Sequence, residues 1–415
     1  MTLKNALPQP FAQEHAVDPY PAYRALLDEG DLQRITVRPG LDAWLVLGHD
    51  LARQALNHPA ISLEARHATP PVHEAIMAGY MEEKQSFFGQ HLLATDGEQH
   101  HRMRRVMSRA LTARRFHAMT SEVDDIVHAL IDELPAPGPT DLAATLVVPF
   151  TISVLARLMG VPEPGRRLLT GLANAVIQGK AEDDAGFAQV ISELTTYFSE
   201  LLDHPEQIAP GGLLAMLVEA RNAGTITHKE TFSLAYQLFF AGHESSGYLM
   251  TNATAVLLSR PDVAAELRAE PDLLDGAVEE LLRWEGSLKV GSWRFATEPL
   301  ELGGKRLETG DPILVVLAAA NRDPGKYADP DALDIHRGGV PHLSFGHGPH
   351  HCLGAALGRL EVRTLLAALL ERFPDLRLDV PYAELPWRHN LIMRGPRHLP
   401  VTLGEDRRRA ATPYT

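Results

Sequence analysis

The feature that most constrains this sequence is a long stretch without proline that is typical of a single helix. It spans residues 231–259, about 29 residues, and would extend roughly 43 Å at about 1.5 Å per residue. Thr227 and Glu230 have the spacing of a capping box at its start, and Arg260-Pro261 ends it. A helix of this length can cross a whole domain, so we expect the rest of the chain to pack around it.

Most of the remaining sequence also predicts helix, and strand patterns are confined to two regions. Apolar residues at helical spacing predict helices at 123–133 and 187–203, among others. Alternating and β-branched residues predict a hairpin near the start and short strands towards the end of the chain. These strands are 32–37 and 43–47, which flank a turn at 38–42, and then 294–302, 312–317 and 391–393. The predicted class is mainly α with a minor β-sheet region.

The bulk properties predict one globular domain over residues 1–415. Of 415 residues, 45% are hydrophobic and 22% charged, and no linker divides them; a disordered tail is expected at about 404–415. There is no signal-peptide pattern and no apolar run of about 18 residues, which predicts a cytoplasmic protein without a membrane anchor. The net charge of -14 argues against nucleic acid as a partner. With one cysteine, the chain forms no internal disulfide.

The middle of the long helix conflicts with its surroundings. Residues 241–247, Ala-Gly-His-Glu-Ser-Ser-Gly, are polar and carry two glycines, whereas the flanks are apolar. Each glycine inside a helix costs roughly 1 kcal/mol relative to alanine, and a buried carboxylate adds to the conflict. Such conflicts concentrate at functional sites. The alternative, a surface Glu-Ser-Ser turn of helix, is disfavoured by the apolar flanks.

The strongest signal surrounds Cys352. Residues 345–354, Phe-Gly-His-Gly-Pro-His-His-Cys-Leu-Gly, run into a helical pattern at 355–372. The glycines permit a tight turn, and a cysteine at a helix start gains a lowered pKa and becomes a thiolate ligand for iron. One alternative is a cysteine that merely packs in the core. Another is zinc with neighbouring histidines, which fits poorly because structural zinc sites draw spaced ligands from two segments.

The ten residues match the cysteine-ligand loop of the cytochrome P-450 superfamily, Phe-Gly-x-Gly-x-(His or Arg)-x-Cys-x-Gly, at every specified position. The resemblance implies that family's triangular, prism-like fold, with a long central helix over a haem. It also implies a β-rich part at about 30–65, a helical core at about 95–290 and a haem-thiolate loop at 345–354. The cofactor would be haem b with Cys352 as its axial ligand, and cysteine ligation favours O–O cleavage.

Further motifs resemble the family in the expected order. Glu280-Leu-Leu-Arg283 is similar to its Glu-x-x-Arg helix, with Arg337 as the third partner; alone, the pattern is an ordinary helix ion pair. Asp96 to Arg104 is similar to the helix whose His100 and Arg104 contact a haem propionate, although Gly97-Glu98 stand where two prolines are common. The remaining cofactor-binding residues implied by the resemblance are Ala241, Gly242, Arg294, Phe345, Gly346, His350 and Gly354.

The polar centre of the long helix resembles the family's oxygen-activating kink, (Ala or Gly)-Gly-x-(Asp or Glu)-Thr. The resemblance implies that Glu244 and Ser245 relay protons, because O–O cleavage consumes protons and a hydroxyl can orient water. Serine replaces the usual threonine and lacks its rotamer-restricting methyl group. We therefore expect either looser coupling of oxygen use to product or help from a substrate hydroxyl.

By the same resemblance, a mainly apolar small molecule would bind between segments at about 62–90, 169–188, 239–242, 288–292 and 391–393. The expected pocket residues are Phe240, Lys289, Val290 and Ile392. Lys289 would face the haem edge, or else lie as a surface lysine. Ferredoxin and ferredoxin reductase are the expected electron donors, since no flavin or nicotinamide fingerprint occurs. An acidic ferredoxin would dock on Arg102, Arg105, Arg109 and Arg359, which are otherwise a solvated surface.

The sequence thus predicts a haem-thiolate monooxygenase that hydroxylates or epoxidises a specialised metabolite, such as a polyketide, macrolide, terpenoid or modified peptide. One alternative is a peroxide-driven peroxygenase or an oxidative coupling catalyst on the same fold; retention of Glu244 and Ser245 argues against dependence on peroxide. The alternative from another class is a non-catalytic haem or gas-binding protein, disfavoured because no output domain is visible.

Overall fold

The computed structural model describes residues 8–79, 90–177, 184–338 and 341–410. Helices account for most of these residues. They are α1 (Tyr20–Asp28), α2 (His49–Leu56), α3 (Pro70–Met77), α4 (Gly97–Ala110), α5 (Ala113–Ala118), α6 (Thr120–Asp132), α7 (Val148–Met159), α8 (Glu163–Ile177), α9 (Asp184–Asp203), α10 (Leu213–Asn222), α11 (His228–Leu258), α12 (Pro261–Ala269), α13 (Leu274–Trp284), α14 (Leu317–Ala320), α15 (Ala355–Arg372) and α16 (Arg407–Ala410). Within the described ranges, none of them has both the length and the apolar character that crossing a bilayer requires.

The strands form three small sheets. They are β1 (Leu32–Arg38), β2 (Leu41–Val46), β3 (Ile61–Ser62), β4 (Gly138–Asp141), β5 (Arg294–Ala296), β6 (Leu300–Leu302), β7 (Lys305–Leu307), β8 (Pro312–Val315), β9 (Arg377–Leu378) and β10 (Pro400–Leu403). The largest sheet has the order β1-β2-β8-β5-β3, and the others join β4-β10-β9 and β6-β7. The predicted class, mainly α with a minor β-sheet region, is confirmed.

The hairpin predicted near the start of the chain is also confirmed. β1 and β2 pair antiparallel, with Leu32 opposite Val46. Gly40 in the turn has a φ of 80°, a conformation that side chains with a Cβ rarely adopt. β2 then pairs parallel with β8, which places Trp44 beside Ile313. The N-terminal hairpin and a strand from the last third of the chain thus belong to one sheet.

Two strand predictions were too long and one was wrong. The predicted strand 294–302 is divided into β5 and β6, and Pro299 between them has no N–H for a ladder. The predicted strand 312–317 ends at Val315 and leads into α14. Residues 391–393 form no strand, and Met393 makes only an isolated bridge with Leu288. The N–H of Met393 donates instead to Asn390 Oδ1 at 2.6 Å.

Helix α11 is the axis of the helical core. Its capping box is confirmed, with Thr227 Oγ1 accepting from Glu230 N at 3.1 Å and Glu230 Oε2 accepting from Thr227 N at 2.8 Å. The helix begins at His228, earlier than predicted, because the cap residue directly precedes the first helical residue. It packs against α7, α9, α10, α13 and α15. The polar residues 241–247 therefore lie deep within the helical core.

Residues 404–410 belong to the segment at which a disordered tail was expected, and residues 411–415 lie outside the described residues. Asp406 is buried, and both of its carboxylate oxygens accept hydrogen bonds from the guanidinium of Arg372, with Nε to Oδ1 at 2.7 Å. The short helix α16 follows. This buried ion pair attaches the chain at Asp406 to α15.

Candidate active site

The midpoint of α11 has one open face in an otherwise buried helix. Ala241 is exposed and Ser245 is partly exposed, whereas Phe240 and Glu244 are buried. Residues four apart share a helix face, so Ala241 and Ser245 lie on the same accessible face of the helix. The Ser245 hydroxyl donates to the Ala241 carbonyl at 2.6 Å, which holds the hydroxyl at this face.

Gly242 contributes to packing between helices. A Cβ at this position would lie 3.0 Å from Leu155 Cδ1 on α7, tighter than side chains normally pack. Glycine therefore allows α7 and α11 to approach closely. This contact gives the glycine a structural reason that is independent of any cofactor.

Glu244 is buried and ion-paired. Its Oε1 accepts a hydrogen bond from Arg388 Nη1 at 2.8 Å, and Arg388 Nη1 also donates to the Tyr248 hydroxyl at 2.5 Å. Burial raises the pKa of the Glu244 carboxyl, while the Arg388 guanidinium opposes the increase. The sequence motif had indicated Glu244 but not Arg388, since the two residues are 144 positions apart and no pattern links them.

The Cys352 loop is a tight turn that glycine makes accessible. Gly346 and Gly348 have φ values of 70° and 74°, and Cys352 N donates to the Phe345 carbonyl at 2.9 Å. A Cβ on Gly348 would also lie 3.0 Å from the Leu56 carbonyl of α2. Gly354 precedes the first residue of α15 and accepts a hydrogen bond from a backbone N–H of its first turn. The loop predicted from the motif is therefore confirmed as a turn that leads into a helix.

The pKa of the Cys352 thiol differs from the sequence prediction. The side chain is exposed, yet enough protein surrounds it that burial raises its pKa, against the effects of the Gly354 N–H and the guanidinium groups of Arg104 and Arg359. The sequence had predicted a lowered pKa from the helix start. Cys352 instead lies outside the helix, which begins at Ala355, and a helix dipole weakens rapidly with distance. Metal coordination deprotonates a thiol outright, so a raised pKa is compatible with a ligand.

Glu280, Arg283 and Arg337 come together as predicted. Arg283 donates to Glu280 through Nε at 2.7 Å and Nη2 at 2.8 Å, and Arg337 Nε donates to Glu280 Oε1 at 3.2 Å. Glu280 and Arg283 are buried. Arg283 also donates to the backbone carbonyls of Asn321, Pro330 and Ala332 at 2.8–2.9 Å. The arrangement fixes the segment before the Cys352 loop to α13.

Asn321 and Ser344 connect this cluster to the Cys352 loop. Leu343 N donates to Asn321 Oδ1 at 2.6 Å, and Asn321 Nδ2 donates to Ser344 Oγ at 2.8 Å. Ser344 Oγ in turn donates to the Leu282 carbonyl at 2.7 Å. These contacts give Asn321 a positioning role at Ser344, the residue next to Phe345.

The basic side chains of His100, Arg294 and His350 form a second cluster. The rings of His100 and His350 lie 4.1 Å apart between centroids. Three of their buried nitrogens, His100 Nε2, Arg294 Nε and His350 Nδ1, have no hydrogen-bond partner in the part of the chain that is described. Burial lowers the pKa of His100 to about 4 and that of Arg294 to about 10. Arg104, the fourth predicted member of this cluster, donates from Nη2 to the His351 carbonyl at 2.7 Å.

Asp96 organises this cluster, and the sequence analysis gave it no role. Its Oδ1 is 2.7 Å from His350 Nε2, and its Oδ2 accepts from Ser62 Oγ and Leu63 N, each at 2.7 Å. Burial raises the pKa of the Asp96 carboxyl, but the hydrogen bonds from His350 and Ser62 hold this pKa well below its usual range. The next residue, Gly97, has a φ of 58°. Proline cannot adopt this value, so this backbone excludes the first of the two prolines that are common in the motif.

The expected pocket residues are all buried. Phe240, Val290 and Ile392 lie within hydrophobic clusters. Lys289 is also buried, and its ammonium donates to the Asn390 carbonyl, so the alternative of a surface lysine is wrong. The expected pocket segments at 62–90 and 169–188 fall partly on residues 80–89 and 178–183, outside the described residues.

The basic surface is smaller than predicted. Arg102 donates to Glu230 with Nη2 to Oε1 at 2.6 Å, and Arg359 donates to Glu279 with Nε to Oε1 at 2.5 Å. These carboxylates neutralise two of the four predicted cations. Arg105 and Arg109 are exposed on α4.

Known proteins are similar to this chain in sequence and in fold. The family described as Cytochrome P450 matches residues 177–380. The cytochrome P450 monooxygenase PikC of Streptomyces venezuelae is 40% identical over 396 residues, 94% of this chain and 92% of that protein. The mycinamicin IV hydroxylase/epoxidase of Micromonospora griseorubida is 31% identical over 97% of this chain and 100% of that protein. The structure of the tirandamycin C-bound P450 monooxygenase TamI superposes with a TM-score of 0.86 at 32% identity, over 95% of this chain and 99% of that one.

These likenesses extend over almost the whole chain and agree with the loop, the central helix and the Glu280 cluster. The family's cofactor is haem with a cysteine thiolate ligand. The chain belongs to the cytochrome P450 family and is a monooxygenase of that family.

Proposed function

We propose that this monooxygenase binds haem b through the Cys352 thiolate and inserts one oxygen atom of dioxygen into a C–H or C=C bond of a mainly apolar small molecule. One observation carries the proposal. Beside the exposed cysteine loop, three buried nitrogens of His100, Arg294 and His350 lack hydrogen-bond partners among the described residues. Arg294 Nε is a donor, so a ligand that brings acceptor oxygens to this place would complete its hydrogen bonding.

These residues fit a haem. A buried donor without a partner costs about 1–3 kcal/mol, so a ligand that supplies acceptors there is stabilised. The propionate groups of a haem are such acceptors, and arginine suits carboxylates in particular. We assign His100, Arg104, Arg294 and His350 to the propionates. The remaining contacts are assigned to Ala241 and Gly242 on α11 and to Phe345, Gly346, Cys352 and Gly354 in the loop.

When bound, haem with a thiolate ligand supplies the activation of dioxygen. The chain itself supplies protons and orientation. While Ser245 Oγ donates to the Ala241 carbonyl, its lone pairs can still accept from a water at the open face of α11. That bond restricts the Ser245 rotamer, a task that the methyl group of threonine performs in the usual motif. We assign Glu244 as the buried carboxyl that passes protons to this water.

We infer that the substrate is a specialised metabolite, of the polyketide or macrolide, terpenoid or modified-peptide type. Related enzymes named for mycinamicin IV and tirandamycin C support this class. The name hydroxylase/epoxidase also supports both kinds of oxygen insertion. Phe240, Val290 and Ile392 would provide apolar surface, and Lys289 a fixed polar group. Apolar pockets with few polar groups suit such molecules.

We further propose ferredoxin and ferredoxin reductase as electron donors. Arg105 and Arg109 on α4 are exposed cations, and cationic surfaces steer acidic partners into contact. Arg102 and Arg359 contribute less because their charges are already paired.

The test is turnover of the purified protein with ferredoxin, ferredoxin reductase, NADPH and heavy-isotope dioxygen. Metabolites of the classes named above are first screened by the spin-state change that they cause on binding. We expect one labelled oxygen atom in the product of a binding metabolite. Product formed with peroxide alone, and none with the electron donors, would instead identify a peroxygenase.

A further inference from the structure

Two of the segments expected to line the substrate pocket run side by side, and we call them the paired segments (287–290 and 391–394). Arg394 N donates to the Ser287 carbonyl at 2.8 Å, and a second backbone bond of 2.8 Å and an antiparallel bridge follow along the pair. Because backbone bonds join them, a shift of one paired segment carries the other with it.

The carboxylate of Glu285 lies at the end of the paired segments where Ser287 meets Arg394, and it is only 2% exposed. Its Oε1 accepts from Arg394 Nε at 2.5 Å and from the Tyr20 hydroxyl at 2.7 Å. Its Oε2 accepts from Arg394 Nη2 at 3.1 Å and from the Tyr382 hydroxyl at 3.0 Å. Burial raises the pKa of the Glu285 carboxyl, but Arg394 and the other partners hold this pKa below its ordinary value. Two parallel bonds between a carboxylate and a guanidinium also fix their mutual orientation.

The other bonds of Arg394 fix the guanidinium itself. Its Nη1 donates to the Ala16 carbonyl at 3.0 Å, and its Nη2 donates to the Val17 carbonyl at 2.9 Å as well as to Glu285. The charged pair is therefore held on one side by the segment that precedes α1.

The same end of the paired segments is joined to α11. Asn252 Nδ2 donates to the Arg394 carbonyl at 3.0 Å, and the Asn252 side chain is buried. Asn252 lies seven residues after Ser245, about two helical turns further along α11. The paired segments are thus anchored to the helix that presents Ser245.

We propose that Glu285, through its pair with Arg394, is a positioning residue that sets the shape of the substrate pocket. Val290 and Ile392, one on each paired segment, are the side chains that it positions, and both belong to one hydrophobic cluster. Their distance from Ser245 determines which carbon of a bound molecule lies nearest the reacting oxygen. The proposal rests on the proposed function, in which these two side chains contact the substrate. Glu285 acts through the paired segments and makes no contact with the substrate.

The experiment measures how the haem-loaded protein binds two probes of different size, imidazole and 4-phenylimidazole. Both coordinate iron through a ring nitrogen and shift the Soret band, but only the second brings a bulky apolar group into the pocket. The variants are Glu285→Gln, which removes the charge and keeps the shape, Tyr382→Phe and Asn252→Ala. The matched control is Asp406→Asn, which removes the charge from another buried pair, with Arg372 at the far end of α15. Haem content and thermal unfolding are measured for every protein.

We expect Glu285→Gln to raise the dissociation constant of 4-phenylimidazole by about threefold or more and to leave that of imidazole within about twofold. The reason is that paired segments no longer held in place must be ordered when a bulky group binds. Tyr382→Phe and Asn252→Ala should change the ratio of the two constants in the same direction, by less. Asp406→Asn should lower the Tm and leave the ratio at its wild-type value. If Glu285→Gln takes up no haem, Tyr382→Phe and Asn252→Ala compared with this control decide the question.

A ratio in Glu285→Gln that stays at the wild-type value or falls, with imidazole still bound, would overturn the positioning role and leave the proposed oxygen insertion intact. Equal weakening of both probes would also overturn it, because the change would then lie at the haem and not in the pocket. A wild-type protein that binds haem but neither probe would overturn both proposals. A purely structural Glu285 would behave as Asp406→Asn does, with lower stability and an unchanged ratio.

Discussion

Two buried clusters of charged side chains adjoin the Cys352 loop, and they differ in how completely their hydrogen bonds are made. In the first, all five N–H donors of Arg283 have protein partners, Glu280 and three backbone carbonyls. In the second, His100 Nε2, Arg294 Nε and His350 Nδ1 have none among the described residues. The first cluster is complete within the described residues, and we propose that a ligand completes the second.

This difference distinguishes residues that support the polypeptide from residues that we propose bind the cofactor. Buried polar groups are hydrogen-bonded in native proteins, so a buried group that has no partner within the protein indicates a ligand site or another functional role. Residues of the complete cluster should therefore govern the stability of the polypeptide. Residues of the incomplete cluster should govern affinity for the cofactor.

The largest expected effect is in the complete cluster. Replacing Arg283 by Met removes the buried cation that donates twice to Glu280 and leaves only the longer bond from Arg337, which should destabilise the protein by roughly 3–5 kcal/mol. Chemical denaturation followed by circular dichroism measures the change. The control is Arg363→Gln, which breaks the exposed pair of Arg363 and Asp275 and should cost no more than about 1 kcal/mol. Equal effects of the two variants would contradict the comparison.

The incomplete cluster should respond in the opposite way. Replacing Arg294 by Met removes a buried charge that lacks a partner at Nε, so the haem-free protein should be no less stable than wild type. Haem affinity should fall on the order of tenfold to a hundredfold, because a hydrogen bond to a charged group contributes about 1.5–3 kcal/mol. Haem titration and denaturation of the haem-free protein measure the two quantities. A loss of stability without a loss of affinity would place Arg294 with the supporting residues instead.

A smaller effect is expected where the chain enters α4, the helix that carries His100. Gly97 has a φ of 58° and open space around it, so Gly97→Ala introduces backbone strain alone, about 1–2 kcal/mol. Gly171→Ala in α8 is the control, since that position also has open space and does not have a positive φ. It should stabilise the protein by up to about 1 kcal/mol. Stabilisation by both substitutions would show that the entry to α4 does not require glycine.

The smallest effect concerns the ion pair between Arg102 on α4 and Glu230 on α11. The Arg102 guanidinium holds the pKa of Glu230 at about 2, below its ordinary value of 4.5. Because the folded-state pKa is the lower one, the contribution of this group is fully present above about pH 4.5 and is lost as the pH falls towards 2. Arg102→Gln should therefore cost about 1 kcal/mol near neutral pH and progressively less in acid. Denaturation curves across this pH range test the sign, and a constant cost would rule out the linkage.

Much of both clusters could be predicted from sequence, because motif spacing fixes local geometry. The loop glycines, the Glu280–Arg283 pair and the capping box of α11 all have partners within a few residues or in a recognisable motif. Asp96 and Arg388 acquire their roles through partners 254 and 144 positions away, which no local pattern reveals. The prediction of a strand at 391–393 was wrong for a local reason, since the side chain of Asn390 accepts a hydrogen bond from the N–H of Met393. The pKa of Cys352 was misjudged because burial, a tertiary effect, outweighs the helix start.

The central claim is that Cys352 is the thiolate ligand of a haem. The most direct measurement is the carbon monoxide difference spectrum of the reduced protein, wild type beside Cys352→Ser, with haem content determined for both. We expect wild type to show the red-shifted Soret band of thiolate-ligated haem and Cys352→Ser to lack it. Absence of that band in haem-loaded wild type, or its persistence in Cys352→Ser, would contradict the account.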